Sequence, residues 1–159
     1  MIRQTSADDL AAVDLLLGRA YPRLLKADYP PSVLVMALPI ISRAQPQLLR
    51  SGTYYVAEHI SGQPLGAGGW TPDSRDPKLG HIRHLVTDHR FTRQGVARAI
   101  LLHVFQTAER AGCTGLTCAS TRTAEPFYQA LGFETVGPME VPLAQGIVFP
   151  AIRMRRNLP

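Results

Sequence analysis

The amino-acid sequence predicts a mixed α/β sheet with helices on both faces. Three observations carry this. Strand-like runs at residues 53–59, 65–70 and 80–87 follow one another with only turn or loop residues between them, the pattern of an antiparallel meander. After residue 80, strands alternate with helical stretches, which calls for parallel pairing through a right-handed crossover. The clearest helical period, from Gln94 to Ala111, puts Val96, Ile100, Leu101, Val104, Phe105 and Ala108 on one face and Arg98, Gln106, Glu109 and Arg110 on the other. With 159 residues, 45% of them apolar, the chain reads as one domain over 1–159.

Each element has a local reason. Ile2 to Thr5 can form a short strand, and Ser6 or Asp8 can cap a helix whose apolar positions are Leu10, Val13, Leu16 and Leu17. Pro30-Pro31 can start a second helix that Pro39 interrupts, with a further turn ending near Arg50. Thr53–His59 alternates and is rich in Tyr and Val. Leu65–Trp70 is rich in glycine, which predicts a bulge or a close backbone approach. Gly80–Thr87 is a strand, and Gly112 stops the long helix that follows. Leu116–Ser120 is a buried strand. Ala124–Leu131 is a short helix with Pro126 in its first turn and Gly132 at its end. Two strands, Phe133–Val141 and Ile147–Arg155, close a sheet of six or seven strands.

Composition excludes several classes. The longest apolar run, Val33–Ile41, is nine residues broken by Pro39, far short of the roughly 20 that span a bilayer. No apolar segment marks a secretory signal at residues 1–9, and Cys113 and Cys118 are too few and badly spaced for a metal site. They read as reduced thiols, so a cytoplasmic protein without metal is expected. The net charge is +5, and of 17 basic residues only Lys26 and Lys78 are lysine. Arginine suits planar recognition of phosphate or carboxylate. The arginines are scattered, without interleaved aromatics, which argues against nucleic acid as a partner.

Residues 81–98 carry the chemistry. A strand runs into a basic turn that opens the long helix. Free N–H groups and the positive dipole end gather there. Gly95 and Ala97 let a ligand approach the backbone, and Arg90, Arg93 and Arg98 add charge. The turn is an anion site, and a pyrophosphate is its natural guest. It is neither a P-loop nor a dinucleotide fingerprint.

A second motif, Ala124 through Phe127-Tyr128 to Gly132-Phe133, lies about 30 residues beyond Thr92-Arg93-Gln94-Gly95-Val96-Ala97. With this pair, in this order, the chain resembles the GNAT superfamily of N-acetyltransferases. Thr92 stands where that family usually has Gln or Arg, and Thr121 where it commonly has Asn.

The resemblance implies a fold and an activity: a GNAT-like acyl-CoA N-acyltransferase that moves an acetyl group from acetyl-CoA to a primary amine of a small molecule or peptide. The alternative is a non-catalytic acyl-CoA sensor of the same fold. It implies that the N–H groups of Arg93, Gln94, Gly95, Val96, Ala97 and Arg98 hold the pyrophosphate. The pantetheine arm would run along Leu85, Val86 and Thr87 like an added strand, with Thr121 and Phe127 beside it. An N–H near Leu85 or Val86 would face the thioester oxygen. Tyr128 matches the family's acid. For the base, His81 sits at the strand position the family often uses. His84 competes, although strand alternation would turn it to the other face, and a water chain is a third route. Cys118 is read as core. The acceptor pocket would draw on residues 18–35, Trp70 and the loop at 138–147, with Tyr21, Asp28, Tyr29 and Trp70 as candidate liners. Asp28 is the one acidic residue in 15–57 and could meet a cationic amine. Edge strands near the C-terminus leave room for a homodimer.

Overall fold

The structure, a computed structural model, describes residues 1–159. Strand β1 (Ile2–Gln4) leads to a 3-10 turn over Ala7–Asp9. The Ser6 hydroxyl accepts from the Asp8 amide, and the Asp9 carboxylate accepts from the Ser6 amide at 2.8 Å, so a capping box opens the helical segment. Helix α1 (Leu10–Leu24) buries Val13, Leu16, Leu17 and Ala20 on one stripe. Helix α2 (Pro31–Ile41) begins on Pro31, and the short α3 (Pro46–Leu49) follows.

Pro39 does not interrupt α2. It lies in the last turn, where the carbonyl it leaves without a donor, that of Val35, belongs to an exposed residue that water can reach.

The meander is β2 (Tyr54–Glu58), β3 (Pro64–Pro72) and β4 (Leu79–Thr87). Helix α4 (Val96–Arg110), β5 (Gly115–Ser120), α5 (Glu125–Ala130), β6 (Glu134–Pro142) and β7 (Val148–Asn157) complete the chain. The seven strands lie in the order β1-β2-β3-β4-β5-β7-β6. Only β4 and β5 pair in parallel, and their ladder ends at His81↔Thr117. Beyond that pair the two strands part.

One face of the sheet packs against α4 and α5 through Tyr55, Trp70, Ile82, Ile100, Leu101, Leu116, Cys118 and Tyr128, among others. The other packs against α1 through Leu16, Leu17, Tyr54, Ala67 and Val86, and against α2 through Tyr29, Ala37 and Phe149. The glycine-rich strand β3 is where backbone comes close. A Cβ on Gly66 would stand 2.8 Å from the Val86 carbonyl oxygen and from a Val96 methyl, and one on Gly69 would overlap the Thr53 carbonyl.

Candidate active site

Strand β4 is irregular at the point where it leaves β5. Arg83 pairs with Gly69 and Val86 with Ala67, so His84 and Leu85 together face the single residue Gly68. This is a β-bulge, and His84 takes φ 43°, a left-handed conformation that is costly for a residue with a Cβ. Two features hold it. Gly68 supplies the room, since a Cβ there would lie 3.1 Å from the Leu85 Cα. The buried Tyr54 donates its hydroxyl to the His84 carbonyl at 2.9 Å.

The turn after β4 is built around a buried carboxylate. Asp88 accepts from the Arg90 amide at 2.9 Å, from Arg90 Nε at 3.1 Å and Nη2 at 2.9 Å, and from Arg19 Nη1 at 3.5 Å. These guanidinium groups, Arg90 first, hold its pKa down at about 2 despite burial. Arg93 (φ 65°) and Gly95 (φ 81°) then both turn left-handed just before α4. The helix therefore starts at Val96 rather than Gln94. Left-handed residues beside a helix start direct successive N–H groups into one concavity.

Between the parted strands lies a cleft of about 710 Å³. Leu85, Val86 and Thr87 line it from β4, Arg93, Gly95, Val96, Ala97 and Arg98 from the turn and helix, and Thr121, Phe127 and Tyr128 from β5 and α5. A second cavity of about 530 Å³ lies alongside, lined in part by Gln45, Thr71, Arg83, His84, Val141, Leu143 and Phe149. The two share a wall of Tyr21, Leu85, Thr121, Ala124 and Tyr128. Tyr128 is buried, packed edge-on against Phe127 and Phe133 at centroid distances of 5.3 and 5.2 Å. Burial, with Cys118 and Tyr21 nearby, pushes its phenol well above the ordinary value, so it stays protonated. No protein group takes up its hydroxyl.

A model of the GNAT acetyltransferase domain matches residues 35–156. The chain belongs to the GNAT acetyltransferase family. It is thus an acyltransferase of the GNAT type, with the mixed seven-stranded sheet of that fold. Among solved structures it is similar to a GCN5-related N-acetyltransferase from Rhodopseudomonas palustris, with TM-score 0.77 and 16% identity over 99% of this chain and 95% of that one. The PaiA N-acetyltransferase of Thermoplasma acidophilum, solved with coenzyme A, gives a TM-score of 0.74 and 12% identity over 99% and 98%. The N-acetylglutamate synthase of Neisseria gonorrhoeae, solved with coenzyme A and N-acetyl-glutamate, gives 0.67 and 19% over 100% of this chain but only 35% of that one. A comparison with curated proteins finds no match.

Within this GNAT fold the expected residues fall into two groups. Every residue expected beside the acyl carrier lines the cleft except Gln94, which is exposed. Arg90, expected to add charge for the phosphate, is instead taken by Asp88, with its guanidinium also 5.4 Å from the Phe91 ring centre. His81 lines neither cavity. Its ring is held between Asp73 (Nε2 to Oδ1, 2.8 Å) and the Thr117 hydroxyl. His84 does line the second cavity, because the bulge breaks the alternation that would have turned it away.

Of the candidate acceptor residues, Tyr21 lines both cavities. Trp70 is in the core with Nε1 donating to Thr107 at 3.0 Å. Tyr29 bridges the Pro150 carbonyl and the Arg122 amide, and Asp28 is exposed in the loop, outside both cavities. Sequence reading assigned no role to Asp88, Tyr54 or Arg83. Asp88 sits in a legible turn-capping position; Tyr54 gives no local signal of its partner thirty residues away.

Proposed function

We propose that the protein transfers an acetyl group from acetyl-CoA to a primary amine by direct attack in a ternary complex. One observation carries this reading: two cavities, one with the features of an acyl-carrier site, meet at a wall containing Tyr128. The cleft fits the carrier. The left-handed turn with Arg93 and Arg98 suits a pyrophosphate, and the side of β4 turned towards β5 beyond residue 81 has no strand partner, leaving an edge for an extended amide chain. The solved complexes of similar fold with coenzyme A are in keeping with this.

The chain's own groups then have distinct tasks. His84, kept neutral because burial and then Arg83 lower its pKa, accepts the proton that the ammonium must lose. The amine nitrogen forms a bond to the thioester carbon, and the N–H of Leu85 or Val86 stabilises the oxyanion. As the C–S bond breaks, Tyr128 delivers a proton to the thiolate. The structure supports His84 over His81 as the base, since His81 faces neither cavity. Two buried free cysteines fit a reducing, cytoplasmic setting, and the edge strand β6 is the surface through which a homodimer would form.

Calorimetry with acetyl-CoA tests the first half of the reading, and thiol release over a panel of amines the second. Heat of binding with thiol release on at least one amine is expected. No heat overturns the reading, and binding with no turnover on any amine makes the protein a sensor.

A further inference from the structure

The second cavity has an unusual charge pattern. Among all its lining residues there is no aspartate or glutamate. Its only permanent charge is Arg83. That guanidinium makes no ion pair. Its Nε donates to the Thr71 hydroxyl at 2.9 Å, which fixes the plane of the fork and leaves both terminal amino groups without a partner. A fork held at Nε and free at its tip is set up for a carboxylate.

The charge stands next in the chain to the proposed base. Arg83 and His84 both line this cavity, His84 at the left-handed bulge position, with Ile82 and Leu85 on either side of them.

The sheet around the cavity has the same sign. Thr117 and Ala119 of β5 share a face with Arg155 and Arg153 of β7, to which they pair, and both arginines are exposed and without ion pairs. Two carboxylates on this side of the sheet are engaged elsewhere: Asp73 is bound to His81, and the exposed Glu134 pairs in register with Arg155. Neither lines the cavity. A polycationic amine would find no counter-charge here and would meet repulsion from Arg83. The remaining walls mix apolar Ile41, Leu48, Val141, Leu143 and Phe149 with neutral polar Gln45, Gln47, Ser51 and Ser120.

We infer that the acceptor is a small amino carboxylate, its carboxylate bound by Arg83 and its amine placed beside His84. This rests on the proposed acetyl transfer and names the acceptor class for it. Arg83 is the specificity-determining residue. It contacts the carboxylate and leaves the reacting nitrogen to His84.

The test uses matched pairs that differ only in the carboxylate: phenylalanine against phenethylamine, and leucine against isopentylamine, with spermidine as a polycation. Thiol release from acetyl-CoA is measured for the wild type, Arg83→Gln and Arg83→Lys. The acid of each pair should have the higher kcat/KM, by roughly tenfold or more, the range of a charge-assisted contact. In Arg83→Gln that ratio should collapse through a rise in KM for the acid, and Arg83→Lys should restore part of it. A merely structural role for Arg83 would lower both members of a pair together. Preference for the amines or for spermidine, or an equal loss on both members, overturns the inference while leaving acetyl transfer intact. Binding of the amino acids to the protein saturated with CoA is measured in parallel by calorimetry. Arg83-dependent binding without any thiol release keeps the carboxylate site at Arg83 but removes acetyl transfer, and with it the acceptor role. Amino acids that neither bind nor react overturn the inference.

Discussion

Tyr128 and His84 meet opposite requirements through the same physics. Burial disfavours charge on either side chain, so the phenol keeps its proton and the imidazole stays without one. A donor and an acceptor are thereby both ready near pH 7. Tyr128→Phe removes only a hydroxyl that no protein group binds, so the fold should persist with acetyl-CoA affinity within a few-fold of wild type. Its kcat should fall by about 10²–10⁴-fold, the usual worth of a positioned proton donor. Calorimetry and steady-state rates on one preparation check both halves. For His84 the sign of the pH dependence follows from its lowered pKa. The neutral ring is the active form, so kcat/KM falls as pH drops through a value below the ordinary 6.5. Below pH 6.5 the wild-type profile should show this limb, and His84→Gln should lack it while being slower throughout. A profile that is unchanged in the variant assigns the base elsewhere.

At the level of elements, two departures from regularity build the site, and each is held by a buried polar group. The β4 bulge is tied by the Tyr54 hydroxyl on the His84 carbonyl. The turn before α4 is tied by Asp88, which gathers Arg90 and Arg19 around one carboxylate. Asp88→Asn leaves those guanidinium groups without their counter-charge. We expect a loss of stability of about 1 kcal/mol, since the two arginines are well exposed and water screens them once the carboxylate is gone. The KM for acetyl-CoA should rise on the order of tenfold, because the turn that presents Arg93 and Gly95 loses its anchor. The pH dependence has a definite sign. The folded-state pKa of Asp88 is lowered from 3.8 to about 2, so its stabilisation is complete above pH 3.8 and is lost as pH falls towards 2. Denaturant melts at neutral pH and near pH 3 should therefore converge for wild type and variant on the acid side. Equal stabilities at neutral pH count against this role.

For the whole molecule, the parting of β4 from β5 after a three-pair ladder is what makes an enzyme of the sheet. It opens one cleft between the start of α4 and the end of α1, and one cavity towards Ile41 of α2 and the residues after it, with a common wall between them. Charge is distributed to match: net charge is +5, the exposed Arg93 and Arg98 guard the first cleft, and no acid lines either. Raising salt from about 50 to about 500 mM should weaken acetyl-CoA binding several-fold, since exposed charges are screened within a few ångströms at high ionic strength. Arg93→Gln should flatten that dependence, and titration calorimetry at three salt concentrations checks it. An affinity indifferent to salt removes the exposed arginines from the binding site.

Much of this was legible residue by residue. Capping at Ser6, the glycine stops at 112 and 132, the close backbone approach in the 65–70 strand and the period of α4 are signals carried within a few positions of the chain. The basic, glycine-containing turn at 93–98 and the Phe127-Tyr128 pair are equally local as sequence signals. Which cavity His84 meets, and that Asp28 and Trp70 stand away from both cavities, depend on partners that are distant in the chain. A single extra residue in the register between β3 and β4 reverses every side chain beyond it, and that register is decided only when Gly68, Leu85 and Tyr54 pack together.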